Sequence, residues 1–248
     1  MIFMENNTWD GPKREGLNFT IKQERDRQVA IASKYQLVIT GWGEDQGPGQ
    51  AGGEEGKLAA ILQEIKAASP KTKTFAYCGQ FEGIQNMYTA QHKILADKSY
   101  FGFWVKDDDG KRIGGDSAGG AMWDFRNASA REYLATEVAG YFARATGVDG
   151  VFFDEGDSFA CHYSCKQRNT CKTMPDAVEW QRGAIEAWKL AAEEMAKAGK
   201  HALVSSQTSF NATTPYLMKQ PKTGCPVSED EAFAIMNSSA LARKVAIF

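Results

Sequence analysis

Short apolar runs alternate with longer charged segments along most of this chain, and that alternation restricts the fold it can adopt. Residues 150–154 read Gly-Val-Phe-Phe-Asp and follow a segment of helical character. They lack the alternation of apolar and polar residues that a strand with one solvated face shows. Strands buried on both faces are typical of parallel sheets that are covered by helices. We therefore predict a parallel sheet in which strands and helices alternate along the chain.

The predicted strands are spread along the whole chain. They cover residues 2–5, 36–40, 74–78, 122–125, 150–154 and 202–206, and a further strand starts at 245. Amphipathic helices are predicted between them, and the helix over residues 128–146 is capped by Asn127. Residues 101–105 are interpreted as a hairpin excursion from the sheet.

This order of elements predicts one domain over residues 1–248, a (β/α)8 TIM-type barrel that is incomplete at its C-terminus. A doubly wound sheet is the alternative. A chain of 248 residues with 43% apolar residues can bury one large core. Residues 2–4 already read as a strand and residues 244–248 stop where another begins, so we expect a fragment of a longer protein.

Composition argues against several function classes. The formal net charge is −2 and the basic residues are scattered, so nucleic acid is not an expected partner. No apolar run approaches the roughly 20 residues that span a bilayer, so membrane insertion is not expected. The glycine-rich stretches lack the spacing of nucleotide-binding loops, and the three histidines are far apart. We expect no cofactor, and the sequence leaves the oligomeric state open.

The cysteines bear on where the protein acts. Cys78 follows a predicted strand, and the other cysteines lie in loop-like sequence: Cys161, Cys165, Cys171 and Cys225. Disulfides among the loop cysteines, with Cys78 as a buried thiol, are the favoured interpretation. Together with several Asn-x-Ser/Thr sequons they indicate a glycoprotein in an extracellular or luminal location. Zinc bound by His162 and the nearest cysteines is the alternative, although the spacing is not that of a standard zinc finger.

The candidate site lies at the carboxyl ends of the predicted strands, which meet at one edge of a parallel sheet and carry the active sites of α/β barrels. Aromatic, amide and acidic side chains follow those strands. Rings stack on the faces of pyranose units while polar groups bind their hydroxyls, so the mixture suits a carbohydrate. The predicted substrate-binding residues are Glu5, Trp42, Glu44, Tyr77, Gln80, Arg126, Asn127, Asp157 and Gln207.

A cluster of acidic residues begins at the end of the fifth predicted strand, with Asp154 and Glu155. Crowding beside a cleft would raise some of their pKa values, as acid/base catalysis requires. Adjacent strand residues point to opposite faces, so Asp154 and Glu155 are not expected to act as a pair. Asp124, on the predicted neighbouring strand, is the first choice as partner, and Glu155 is the reserve acid. A structural ion pair with Arg126 or Arg131 is the alternative for Asp124.

Two segments in this order carry a resemblance to a known family. Trp123-Asp124-Phe125-Arg126-Asn127, followed one helix later by residues 147–154, resembles the glycoside hydrolase-like (β/α)8-barrel family. The similarity in order and spacing covers roughly residues 35–157. It implies a carbohydrate-directed barrel hydrolase in which Asp124 and Asp154 match the acids at the ends of strands four and five. The cysteine loop over residues 161–171 departs from the family pattern.

The sequence thus predicts a glycoside hydrolase that cleaves O-glycosidic bonds of a polysaccharide or glycoconjugate with two carboxyl groups. Asp154 would protonate the leaving oxygen and Asp124 would act as nucleophile or base, or the two roles would be exchanged. The main alternative is a non-catalytic glycan-binding barrel of the cell surface or matrix. A zinc-dependent hydrolase that uses the Cys/His loop is a third hypothesis.

Overall fold

A computed structural model of the chain describes residues 2–5, 21–42, 53–80, 83–84, 88–106, 109–112, 121–154 and 174–204. The strands are β1 Ile2–Glu5, β2 Leu37–Trp42, β3 Lys73–Gln80, β4 Gly83–Ile84, β5 Ala121–Met122, β6 Gly150–Asp154 and β7 His201–Val204. The first helices are α1 Ile21–Ala32, α2 Gly53–Ala68 and α3 Thr89–Ala96. Helix α4 joins an α-helical segment Ala128–Tyr133, a π-helical segment Leu134–Ala139 and an α-helical segment Gly140–Arg144, and α5 is Met174–Lys197.

A five-stranded sheet holds strands β1, β2, β3, β6 and β7 in that order, and every neighbouring pair is parallel. Strand order therefore follows chain order without reversal. A doubly wound sheet reverses its order at a switch point, whereas the strands of a (β/α) barrel follow one another in sequence. The predicted parallel sheet with alternating helices is confirmed, and its order is that of barrel winding.

The two faces of this sheet are covered differently. Val38, Ala76 and Val151 belong to a large core that includes residues from every described helix. The opposite face carries what we call the strand-only cluster, whose buried members all lie on strands: Ile39, Phe75, Tyr77, Phe152 and Leu203. Within the described part of the chain, the helices thus contribute their apolar side chains to one face. One-sided covering is what the outer ring of helices around a barrel requires.

The segment predicted as the fourth barrel strand, residues 122–125, does not join the parallel sheet. Its beginning lies in β5, which pairs antiparallel with β4, and Trp123 forms an antiparallel bridge with Trp104. Strand β3 pairs directly with β6. The prediction was wrong because an apolar run shows that a segment is buried but does not show which segment it pairs with. The excursion predicted at residues 101–105 is present and pairs with this segment.

A polar network joins β3 and β6 at their amino ends, opposite the candidate site. Asp149 Oδ2 accepts from Lys66 Nζ at 2.6 Å and from the backbone N–H of Thr74 at 2.9 Å. Lys66 Nζ also donates to the Thr72 carbonyl at 2.8 Å. Burial raises the pKa of Asp149, but the bonds from Lys66 and Thr74 outweigh it and hold the pKa below its ordinary value. Through Lys66, these hydrogen bonds connect α2 to the amino ends of β3 and β6.

Asp149→Asn is expected to lower the free energy of unfolding by about 2 kcal/mol near neutral pH, because Lys66 would stay partly buried without its charge partner. The native pKa of Asp149 lies below the unfolded value, so this stabilisation is present above about pH 4 and is lost as pH falls through the native pKa. Urea unfolding near pH 7 and near pH 3 measures the difference. Glu132→Gln, on an exposed position of α4, is the control. A loss of equal size at both pH values would contradict the role of the carboxylate.

Candidate functional site

Four of the residues predicted from the sequence lie at the carboxyl edge of the parallel sheet. Glu5 ends β1, Trp42 ends β2, Gln80 ends β3 and Asp154 ends β6. The register pairs Glu5 with Trp42, and Gln80 with Asp154. The fold therefore places these four positions along one edge, where neighbouring parallel strands end together.

Both of these pairs follow a break in the strand register. Between Met4 and Glu5 the register with β2 shifts past Gly41, whose φ of 120° favours glycine. Between Tyr77 and Gln80, β3 advances by three residues while β6 advances by two, from Phe152 to Asp154. Bulges of this kind change the direction of the side chains that follow and are frequent beside active sites. The irregular backbone coincides with the edge that the sequence assigned to function.

Tyr77 lies below this edge, within the strand-only cluster. The residue is 2% exposed, and its ring centroid lies 6.0 Å from that of Phe152. The hydroxyl of Tyr88 donates to the Tyr77 carbonyl just before the bulge. Tyr77 therefore packs beneath the edge in the sheet face, and its predicted contact with substrate stays a prediction.

Asp124 lies in the turn between β5 and α4, outside the parallel sheet. Its Oδ1 accepts from Arg126 Nε at 2.7 Å and its Oδ2 from Arg126 Nη2 at 2.9 Å. Arg131 donates instead to the carbonyls of Phe125 and Arg126. Asp124 does not lie on the strand next to Asp154, where the sequence predicted it, because β3 occupies that position. The ion pair between Asp124 and Arg126 is present, and the catalytic role of Asp124 and the substrate contact of Arg126 stay predictions.

The ion pair predicts energetic coupling between the two side chains. A double-mutant cycle of Asp124→Asn and Arg126→Gln is expected to give a coupling energy of about 1 kcal/mol, since the pair is bidentate and only partly exposed. Urea unfolding of the four proteins measures it. The exposed bidentate pair of Arg25 and Glu64 is the matched control, with an expected coupling below about 0.5 kcal/mol. A coupling energy of the Asp124–Arg126 pair no larger than that of the Arg25–Glu64 pair would contradict this prediction.

Asn127 uses its side chain to hold the same turn. Its Oδ1 accepts from the backbone N–H of Ser129 at 2.9 Å, and its Nδ2 donates to the Gly102 carbonyl at 2.8 Å. The predicted cap of the helix is confirmed. A substrate contact of Asn127 stays a prediction, and it would have to share an amide that already makes two hydrogen bonds.

Helix α5 packs tightly on this turn, a contact that the sequence did not reveal. Trp180 Nε1 donates to the Trp123 carbonyl at 2.7 Å. Gly183 lies so close to the turn that an added Cβ would be 1.9 Å from the carbonyl oxygen of Phe125. The available signal was Gly183 itself, because a glycine inside a long helix lowers helix propensity and marks close packing.

Several predictions fall on residues outside the described ranges: Glu44, Glu155, Asp157, Gln207, Cys161, His162, Cys165, Cys171 and Cys225. Their roles, the disulfides and the zinc alternative therefore stay predictions. Cys78 is buried and free, and burial raises the pKa of its thiol, so the predicted buried thiol is confirmed. Within the described ranges, no cluster of His, Cys, Asp and Glu is suited to hold a metal ion. None of the helices described here is long and apolar enough to cross a membrane.

No family model matches the chain, and no curated protein matches it. A noncanonic maltogenic alpha-amylase from Thermotoga neapolitana is similar in structure at 12% identity and a TM-score of 0.38, over 61% of this chain and 38% of that chain. A GH36 alpha-galactosidase from Geobacillus stearothermophilus is similar at 15% identity and a TM-score of 0.44, over 73% and 25%. A cycloalternan-degrading enzyme from Trueperella pyogenes is similar at 16% identity and a TM-score of 0.43, over 82% and 31%. The matches thus span less than two fifths of these proteins' own length.

Proposed function

We propose that the parallel sheet closes into a (β/α)8 barrel with a carbohydrate-cleaving site at its carboxyl edge. The unreversed strand order and the one-sided covering by helices support this closure. In a closed barrel the strand-only cluster becomes the inner wall, and the residues that end the strands surround its mouth.

The position of Asp154 carries the proposal. It ends β6, which lies between β3 and β7 in the sheet, and its register partner is Gln80. Strand alternation assigns position 154 to the face of Phe152, a member of the strand-only cluster, and not to the face of Phe153, which packs with the helices. An acid at the end of an inner strand and on the inner face is where barrel enzymes carry a catalytic carboxyl group.

The proposed reaction is hydrolysis of an O-glycosidic bond in a polysaccharide or glycoconjugate. Asp154 protonates the leaving oxygen, and a second carboxylate attacks the anomeric carbon or activates water. A separation of about 5 Å between the carboxyl groups gives retention of configuration, and about 6.5–9.5 Å gives inversion. Trp42 offers a stacking surface for a sugar ring, while Glu5 and Gln80 bind hydroxyl groups. The cysteines and sequons support a proposed extracellular or luminal location.

Asp124 is kept as the proposed second carboxyl group, with Glu155 in reserve. The ion pair with Arg126 supports a structural role for Asp124 instead, and one variant separates the two roles. If Asp124 is catalytic, Asp124→Asn lowers kcat by about a thousandfold. If Asp124 only holds the turn, the same variant loses about 1 kcal/mol of stability and keeps its kcat within about tenfold.

The experiment that tests this function is sugar release by the chain from a panel of neutral and acidic polysaccharides. Release from at least one of them is the expected result, and the products then identify the sugar and linkage. A protein that binds glycans in the same panel but releases no sugar would be the non-catalytic alternative. Stoichiometric zinc in an active preparation would favour the zinc-dependent mechanism instead.

A further inference from the structure

A compact group of two rings and two cations lies on the surface beside the first turn of α4. We call it the Phe101 platform; it consists of Phe101, Trp104, Lys106 and Arg112. Phe101 is 46% exposed, and its ring centroid lies 5.4 Å from that of the buried Trp104. Lys106 Nζ lies 5.5 Å from the Phe101 centroid, and Arg112 Cζ lies 5.7 Å from the Trp104 centroid. Each ring of the touching pair therefore has a cation over it.

The two cationic residues lie at opposite positions of the excursion. Lys106 and Arg112 are partners in an antiparallel bridge, and both are exposed. Like charges placed directly opposite across strands destabilise the pair. The cation–π contacts compensate part of this repulsion without removing either charge. Asp109 lies in the connecting turn, and Asp107 and Asp108 precede it outside the described ranges. An anionic group bound between the two cations would relieve their repulsion.

The platform lies at the same end of the molecule as the carboxyl edge. Helix α4 leads into β6, so it runs antiparallel to the strands and its first turn lies beside their carboxyl ends. Asn127 at that turn donates to the carbonyl of Gly102, the residue that follows Phe101. Because these residues lie outside the parallel sheet, the platform is separate from the proposed catalytic position at the end of β6.

We propose that the Phe101 platform binds a polysaccharide that carries uronate groups, as a second carbohydrate site. One sugar ring stacks on the exposed Phe101, and its carboxylate binds between Lys106 and Arg112. The exposed Phe101 ring accounts for the sugar, since aromatic faces pack against apolar pyranose faces. The two cations account for the acid. Arg112 Nη1 donates to the Leu95 carbonyl at 3.3 Å, and the other N–H groups of a guanidinium are suited to contact with a carboxylate. The carbohydrate part of this inference rests on the proposed function, and the anion part does not.

Affinity electrophoresis of the Asp154→Asn chain tests the platform while no substrate is consumed. Gels contain alginate as the polyuronate, dextran as the neutral polysaccharide or polyglutamate as an anion without sugar. Alginate is expected to retard the chain, and Phe101→Ala and Lys106→Gln are each expected to weaken its binding about tenfold. The matched controls are Tyr35→Ala, at the other exposed large apolar residue within the described ranges, and Lys71→Gln, at an exposed lysine. Both controls should bind as the parent does.

Three results would overturn the inference: no retardation by alginate, retardation that Phe101→Ala leaves unchanged, and equal retardation by polyglutamate. The last would show an anion-binding patch that does not recognise sugar. A further outcome is that alginate retards the chain in a Phe101-dependent way while the parent chain releases no sugar. That result would support the platform and contradict the proposed hydrolase. Sugar release without alginate binding would remove the platform alone.

Discussion

Gly183→Ala is expected to lower the free energy of unfolding by about 3 kcal/mol or more. The added Cβ would lie 1.9 Å from the oxygen and 2.5 Å from the carbon of the Phe125 carbonyl. These are backbone atoms in a turn that Arg131 and Asn127 also hold, so they cannot rotate away as a side chain would. Helix α5 would have to move off the turn and stretch the hydrogen bond from Trp180 to the Trp123 carbonyl.

Gly56→Ala in α2 is the matched control for this substitution. Its Cβ would lie 3.5 Å from the Tyr141 hydroxyl, an ordinary van der Waals distance. Alanine is preferred to glycine in a helix by up to about 1 kcal/mol, so this variant is expected to equal or exceed the parent in stability. Urea unfolding of both variants measures the contrast. A Gly183→Ala protein as stable as Gly56→Ala would show that α5 does not pack on the Phe125 turn as closely as described.

Asp154→Asn is expected to lower kcat for polysaccharide hydrolysis by about a thousandfold or more, the size of effect that follows loss of a general acid. An amide is close in shape to a carboxylic acid but cannot deliver a proton to the leaving oxygen or attack the anomeric carbon. Initial rates of sugar release over a range of substrate concentrations separate kcat from KM. A loss confined to KM would indicate that Asp154 binds substrate and does not take part in the reaction.

Local signals in the sequence predicted much of the fold. The apolar run from Val151 to Phe153 identified β6, and Asn127 identified the start of α4. Neither assignment needs knowledge of distant residues. The partner of β5 could not be identified in this way, because its pairing with β4 depends on how two distant segments meet. A run of apolar residues carries no information about that partner.

The residues of the candidate site could also be predicted where they depend on local signals alone. Glu5, Trp42, Gln80 and Asp154 could be assigned to one edge because each ends a recognisable strand. Tyr77 was assigned to the same edge but lies below it, since the bulge after it places further residues between Tyr77 and the strand end. A bulge depends on the register of two strands, which one sequence does not contain.

Polar contacts over long sequence separations were also hidden from the sequence. Lys66 and Asp149 are 83 positions apart, and only the folded sheet brings them together. Trp180 and Trp123 meet across 57 positions in the same way. Asp124 and Arg126 are close in sequence, so the structural alternative for Asp124 could be stated in advance; the geometry then showed that the pair forms.

Sugar release from one polysaccharide by the parent chain, Asp154→Asn and Asp26→Asn, measured side by side, tests the central proposal most directly. Asp26→Asn makes the same chemical change at an exposed position within α1, outside the parallel sheet. A catalytic Asp154 predicts release by the parent and by Asp26→Asn, and none above background by Asp154→Asn. Equal release by all three proteins would contradict the assignment of Asp154 as a catalytic carboxyl group.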